Sequence, residues 1–411
     1  MFREEKLEIV LALGRRVIPR RLFKLGQPLY HWLLAYAGAI LYGFPSRKMK
    51  IIGVTGTKGK STVVYILSKI FEEAGIPVAA IGSLGYKIKE KEWPNTLKMT
   101  MPGRFKLQNF LKQAKDSGVK IVILEVTSEG IKQKRHLGIS FDCAVLTNIH
   151  REHIESHGSF EKYVAAKKKL FQKTDNLHVL NSDDESSDYF KKIKSIKKLF
   201  YGMKDWKAWE LDTNLSGDFN KYNILAAAVT AKEFGIDKEI IRKAIDKIKT
   251  ISGRMEYIDA GQSFKVVIDY AHTPDSLEQV YKTLKNQVED GGKMICVLGA
   301  AGGGRDKWKR PEFGKISSKY CDKIILTNED PYDEDPDKII EEINSGISNG
   351  KKYEKIIDRK EAIREALKSA YKGDVVIITG KGSELSMALG SGKKISWSDR
   401  KIVFEFLTTG F

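Results

Sequence analysis

The chain has 411 residues, 42% of them hydrophobic and 30% charged, enough to exclude a disordered tail and to build two or three domains with full cores. Its three cysteines (Cys143, Cys296 and Cys321) exclude a disulfide framework or a zinc cluster, so a reducing cytoplasm is expected. The net charge of +18 is spread over clusters at 167–169, 191–198 and 351–355, reads as solvated lysine faces, and comes with no nucleic-acid-binding signature.

Residues 1–46 read as helical and end at Gly43 and Pro45. Residues 1–24 hold seven Lys or Arg against three Glu, and 25–46 carry no formal charge. Pro28, His31 and three tyrosines make 29–44 a poor bilayer span, and no small-residue cleavage site follows it, so neither a transmembrane helix nor a secretory signal is expected. Two readings stay open. The basic, aromatic-rich segment 15–44 makes a peripheral contact with an anionic membrane, or the helix packs on the next domain. The second is preferred.

From residue 47 short apolar strands alternate with helical patterns. Strands are expected at 49–55, 78–81, 121–126 and 143–148, and helices at 62–74, 103–117, 160–171 and 222–234. Later strands fall at 179–180 and 198–201. A second alternation follows Arg254, with strands at 264–268, 294–298, 323–326 and 375–379 and helices at 273–287, 311–319, 336–347 and 359–370. The fold class is α/β: a central P-loop-type ATPase domain with a mainly parallel sheet (47–251), then a smaller Rossmann-like C-terminal α/β domain (252–411).

Between the first strand and its helix lies GVTGTKGKST, residues 53–62. Gly56 and Gly59 let backbone N–H groups close around an anion at a helix N-terminus. Lys60 can reach terminal phosphates, and the hydroxyl of Ser61 or Thr62 can ligate Mg²⁺. Val54 stands where the strict P-loop has its first glycine. Nucleoside triphosphate binding is expected.

Glu125 ends an apolar strand, the position where open α/β sheets bind ligands, and is a candidate Mg²⁺ ligand. Three of the seven histidines lie between 150 and 157, and His153 sits just past another strand end. Their spacing does not suit zinc. Asp269–Pro274 ends a strand and starts a helix, with Thr273 as N-cap and Pro274 at N1. Residues 300–306 form a glycine-rich turn after another strand.

Eight segments occur in order: GVTGTKGKST, EVTSE, TNIHREHIESHGSFEKYVAAKKKLF, GDFNKYNILAA, SGRME, DYAHTPDSLE, GGGRDKWKRPEFG and EDPYDEDP. Together they resemble the Mur ligase family, in its MurE-like branch (UDP-N-acetylmuramyl-tripeptide synthetase type), from about residue 50 to 405. The resemblance implies a cytoplasmic ATP-dependent ligase in peptidoglycan precursor synthesis. A carboxylate of a muramyl-peptide-like acceptor would take the γ-phosphate of ATP, and an amino acid would attack the acyl phosphate. It further implies that Gly56, Thr57, Gly59, Lys60, Ser61 and Thr62 cradle the phosphates, and that Ser61, Glu125, His153 and Lys167 hold Mg²⁺, with Lys167 carbamylated. Asn220, Asn223, Arg254, Asp269 and His272 would contact ATP. Thr127, Ser128, Gln133 and Arg135 would contact the acceptor, and Arg305, Asp330, Tyr332, Lys381 and Glu384 would line the amino-acid site.

The chain departs from the family pattern in four places. Only about 46 residues precede the phosphate strand, where MurE-type enzymes carry a UDP-gripping domain of roughly 90–100 residues. Tyr332 replaces the arginine of the family's Asp-Asn-Pro-Arg, a bidentate carboxylate partner. Ser383 and Glu129 each replace a family histidine. With Glu329, Asp330 and Asp333 near Tyr332, an amine-bearing substrate such as L-lysine is expected over meso-diaminopimelate. Two alternatives remain: a related ligase on a lipid-linked or folate-like acceptor, and a non-catalytic nucleotide-binding partner subunit.

Overall fold

The computed structural model describes residues 20–96, 99–152 and 154–410, so His153 and residues 1–19 lie outside it. The chain divides into two compact units. The first comprises 1–149, 161–209 and 222–244; the second comprises 150–160, 210–221 and 245–411.

The first unit is built on eight strands: β1 (Lys50–Thr55), β2 (Val78–Gly82), β3 (Gly85–Ile88), β4 (Lys91–Trp93), β5 (Ile121–Glu125), β6 (Cys143–Leu146), β7 (Leu177–Asn181) and β8 (Lys197–Tyr201). Their order is β4-β3-β2-β5-β1-β6-β7-β8. From β2 to β8 the pairing is parallel. β1, β2, β5 and β6 are buried almost throughout, which is why each reads as a continuous apolar run. The antiparallel pair β3 and β4 was not expected. β4, charged and exposed, guards the sheet edge, β3 beside it is half-buried, and neither carries an apolar run. The register sets Val54 beside Glu125 and Thr55 beside Leu146, so the turns after β1, β5 and β6 share one edge.

Helices in this unit run Lys60–Glu73, Arg104–Asp116 and Phe160–Phe171, close to their predicted bounds. The helix Asp218–Glu233 starts four residues before the predicted 222, helped by an aspartate in its first turn. Helix Arg20–Leu41 buries Ala35, Gly38 and Ala39, with Gly38 close to Phe105 and Gln108 of Arg104–Asp116. Packing on the neighbouring domain, the preferred expectation, holds for the described part of this segment.

The second unit has the order β13-β12-β11-β14-β10-β9, from β9 (Glu256–Ile258), β10 (Lys265–Asp269), β11 (Met294–Leu298), β12 (Lys323–Leu326), β13 (Tyr353–Lys355) and β14 (Val375–Thr379). All neighbours are parallel except β9 with β10. Apolar residues on the two faces pack under helices Pro274–Lys285, Lys309–Tyr320 and Pro336–Asn344 on one side, and Arg359–Lys368 and Asp399–Thr409 on the other. Arg359 and Asp399 are fully buried and meet through two hydrogen bonds of 2.9 and 2.7 Å, while Arg359 also donates to the Thr379 carbonyl at the end of β14. This two-pronged ion pair fixes the strand end that leads into Gly380 and Lys381.

The expectation of no disulfide is corrected. Cys296 in β11 and Cys321, just after Lys309–Tyr320, are bonded with Cα atoms 6.0 Å apart. They are 25 residues apart, and the helix between them folds back along β11, a juxtaposition that spacing alone does not reveal. Cys143 is buried as a free thiol, and burial pushes its ionisation up.

Candidate functional site

The loop after β1 is built from close backbone approaches. Gly56 has φ +149° and Gly59 φ +79°. A Cβ on Gly56 would lie 1.9 Å from Thr147 Oγ1, and one on Gly59 would lie 2.1 Å from Asn223 Oδ1, so no other residue fits either place. The turn after β6 braces the loop from below. Thr57 N–H donates to the Asn148 carbonyl (2.8 Å), Lys58 N–H to Asn148 Oδ1 (2.8 Å), and Thr147 Oγ1 to the Lys58 carbonyl (2.6 Å). Thr57 Oγ1 shares a 2.9 Å hydrogen bond with the Tyr163 hydroxyl. Lys60 opens the next helix with Gly59 as N-cap, and its Nζ folds back to the Thr57 carbonyl at 2.8 Å. Thr62 is buried in the first turn of that helix. A bend of this shape, with a lysine above it and a helix N-terminus below, suits a polyphosphate.

Oxygen ligands collect beside it. Glu125 is buried at the end of β5, and its Oε2 accepts from Ser83 N–H (2.9 Å) and Ser83 Oγ (3.0 Å). Ser83 Oγ in turn lies 2.6 Å from Ser61 Oγ. Two hydroxyls and a carboxylate in contact fit a hard cation such as Mg²⁺. Lys167, on the inward side of Phe160–Phe171, is 1% exposed and donates to the Gly56 carbonyl at 2.6 Å. Its Nζ also stands 4.7 Å from the centre of the Tyr163 ring. The structure therefore brings Lys60, Ser61, Glu125, Lys167 and Asn223 to one edge of the first sheet. His153 lies outside the described residues.

Past Glu125, Thr127 caps the short helix Ser128–Lys132 by accepting from Gly130 N–H at 3.0 Å, and Ser128 is buried. Gln133 Oε1 accepts from Arg135 at 2.7 Å, and the same guanidinium donates to the Met101 carbonyl. His136 follows, buried, with its pKa lowered to about 4 by desolvation and by Lys169, Lys173 and Lys134.

In the second unit all the candidates but Asn220, which lies in helix Asp218–Glu233, gather where β10, β12 and β14 end. Asp269 is buried and accepts from Met255 N–H and Ala271 N–H, both at 2.7 Å. His272 Nδ1 lies 2.8 Å from the Tyr270 carbonyl, and its Nε2 lies 3.4 Å from Glu152 Oε1. Arg254 stacks 4.4 Å above the Tyr270 ring. Asn220 donates to the Ser216 carbonyl at 2.7 Å. Lys381 is fully buried and meets both oxygens of Asp330 at 3.0 Å and the carboxylate of Glu384. Burial works against its charge, but Glu384 and Asp330 outweigh it and raise its pKa. Asp330 also accepts from Ala388 N–H at 2.6 Å. Tyr332 adopts φ +52° and lies against Gly303, where a Cβ would meet its ring at 2.7 Å; burial works against the charge of Arg305, but the neighbouring Tyr270 and Tyr332 side chains outweigh it and raise its pKa.

Several residues were not singled out from sequence. Ser83 directly follows β2 and Glu125 ends β5, and strand-end position alone could have found Ser83 too. Glu152 and Lys309 lie inside two of the quoted segments. Lys309 donates to the His272 carbonyl at 3.1 Å, and burial lowers its pKa. Glu329, by contrast, was already placed beside Tyr332 by the sequence; it is buried, burial raises its pKa, and its Oε2 makes no hydrogen bond.

Two family models match: the Mur ligase middle domain over residues 54–209 and the Mur ligase glutamate ligase domain over 253–382. The UDP-N-acetylmuramoyl-L-alanyl-D-glutamate–2,6-diaminopimelate ligase of Geobacillus thermodenitrificans (strain NG80-2) is 35% identical over 401 residues, covering 90% of this chain and 81% of the relative. The chain belongs to the Mur ligase family. The protein of the same name from Aquifex aeolicus (strain VF5) is 37% identical over 388 residues, covering 89% of this Mur ligase and 79% of the relative. A solved structure with that enzyme name superposes with TM-score 0.59 at 30% identity, covering 88% of this chain and 78% of the other. A bifunctional folylpolyglutamate synthase/dihydrofolate synthase from Yersinia pestis superposes with TM-score 0.67 at 19% identity, over 84% of this chain and 89% of the other, a likeness of fold alone. Among the described residues no helix is long and apolar enough to cross a membrane.

Proposed function

We propose that this Mur ligase is an ADP-forming amide ligase that adds an amino acid to a muramyl-peptide-like acceptor through an acyl phosphate. The observation that carries the reading is the contact of three groups with one phosphate loop: Lys60 at its helix, the Ser61–Ser83–Glu125 oxygen chain, and buried Lys167 on the Gly56 carbonyl. In this reading residues 47–251 form the ATP-binding domain and 252–411 the domain that supplies the amino acid.

Gly56, Thr57, Gly59, Lys60 and Thr62 orient the phosphates of ATP, and Asn223 and Asn220 serve the nucleotide end with Arg254, Asp269 and His272. Ser61, Glu125 and His153 would hold Mg²⁺, joined by Lys167 once carbamylated, and the ion would neutralise charge on the transferring phosphoryl oxygens. Carbamylation turns an ammonium into a carboxylate-like group, which is the chemistry a cation site needs. Thr127, Ser128, Gln133 and Arg135 position the acceptor.

The amino-acid pocket is drawn from Arg305, Tyr332 and Glu384, with Asp330 and Lys381 behind them. Lys381, shared between Asp330 and Glu384, offsets part of their charge, so Asp330 adds less negative field than its sequence position implied. The preference for L-lysine over meso-diaminopimelate therefore rests on Tyr332, which offers no guanidinium to a distal carboxylate. A screen of ADP release with single amino acids, against UDP-linked muramyl dipeptide and a lipid-linked equivalent, tests the assignment. ADP release that requires both an amino acid and a muramyl peptide is expected; none with any pairing removes it.

A further inference from the structure

The outward face of helix Arg20–Leu41 is apolar where a covering helix should be polar. Its inner face, Ala35, Gly38 and Ala39, packs on the first unit. Leu29, Trp32, Leu33, Ile40 and Leu41 point the other way and are 43 to 67% exposed. Leu29, Leu33, Tyr36 and Ile40 follow a spacing of four, three and four residues, one continuous stripe. Trp32 leans on Tyr36, ring centres 4.9 Å apart, so the stripe carries an aromatic pair at its middle. Single exposed apolar residues are ordinary, but a contiguous face of them marks a contact.

We propose that this face docks the enzyme on an anionic lipid surface. The choice of occupant rests on charge. The uncharged stripe is bracketed by basic residues in sequence: Arg15, Arg16, Arg20, Arg21 and Lys24 before it, and the exposed Arg47 and Lys48 after it. Residues 25–46 hold no acidic group that would be repelled. Apolar and aromatic side chains in the headgroup boundary, with Lys and Arg beside them, are the pattern of a helix lying in the interface plane. The helix does not span, as no described helix is long and apolar enough. Packing on the domain and docking on lipid use opposite faces, so both hold at once.

The test is co-sedimentation of the full chain with vesicles of phosphatidylcholine alone and of phosphatidylcholine mixed with phosphatidylglycerol. Binding to the mixed vesicles is expected, weakening as salt rises. Leu33→Glu/Ile40→Glu should reduce it roughly tenfold or more. Arg20→Gln/Arg21→Gln/Lys24→Gln should abolish the preference for mixed over neutral vesicles. All five positions lie on or next to the exposed stripe in sequence; should the first variant fail to melt cooperatively, Leu29→Ser/Leu41→Ser gives the same reading. A chain that stays in the supernatant with both vesicles, or binds both equally, overturns the proposal. So does a wild-type dimer, seen by sedimentation velocity, that Leu33→Glu/Ile40→Glu makes monomeric without any vesicle binding, because the occupant is then a second copy.

Discussion

Lys167 Nζ lies 2.6 Å from the carbonyl oxygen of Gly56, tying helix Phe160–Phe171 to the first bend of the phosphate loop. A lysine with 1% exposure would be an expensive ornament on a surface helix, since burying a charge costs several kcal/mol unless something answers it. Here it sits beside the loop and the oxygen cluster that would hold the cation. The contact links the phosphate site to a residue more than 100 positions along the chain.

If Lys167 works as a carbamate, turnover should fall in buffer stripped of CO₂ and return on adding bicarbonate. Lys167→Ala should lose most activity and regain part of it with a small carboxylate such as acetate. Steady ADP release across all CO₂ levels, with no rescue of the variant, would mean that the unmodified ammonium serves the loop.

Lys60→Ala should weaken ATP binding by about 1.5–3 kcal/mol, the worth of a charge-assisted hydrogen bond, and abolish turnover. Calorimetry with a non-hydrolysable analogue reads the first effect and ADP release the second. Unchanged ligation in this variant removes the phosphate-loop assignment.

Tyr332 should favour L-lysine over meso-diaminopimelate in kcat/KM, because the extra carboxylate meets a phenol in place of a guanidinium. Tyr332→Arg should shift the ratio toward meso-diaminopimelate by about tenfold, the effect of roughly 1.4 kcal/mol. A higher kcat/KM for meso-diaminopimelate in the wild type contradicts the reading and would point to Arg305 as the carboxylate partner.

His136 should make the first unit acid-sensitive. Its folded pKa is about 4 against an ordinary 6.5, so the unfolded chain binds the proton first as pH falls. Stability from the neutral imidazole is complete above pH 6.5 and is lost as pH drops toward 4, by roughly 3 kcal/mol in all. Denaturant melts between pH 7 and 4 should show this slope, and His136→Gln should flatten it. An equal slope in both proteins would assign the sensitivity elsewhere.

Much of the molecule was legible from local pattern. The strands at β11, β12 and β14 fell where buried apolar runs placed them, because a strand covered on both faces must be apolar throughout. GVTGTKGKST gave the loop, since only glycine tolerates the backbone at Gly56 and Gly59. The order of the quoted segments gave the family. The hairpin β3–β4 was missed because its strands are short and the edge strand β4 carries charge where periodicity looks for apolar residues.

What only the tertiary structure decided were meetings between distant residues. Ser83 joins Glu125 and Ser61 because parallel pairing brings three strand ends and one helix start to the same sheet edge. Cys296 reaches Cys321 only after an intervening helix folds back. Asp330 meets Lys381 across 51 residues, so part of the negative charge the sequence placed beside Tyr332 is already answered. The sequence by itself determined the elements and the loop chemistry, because these depend on neighbours a few residues away. The charges left available at the site depended on side chains brought together by sheet order, and no local pattern encodes that.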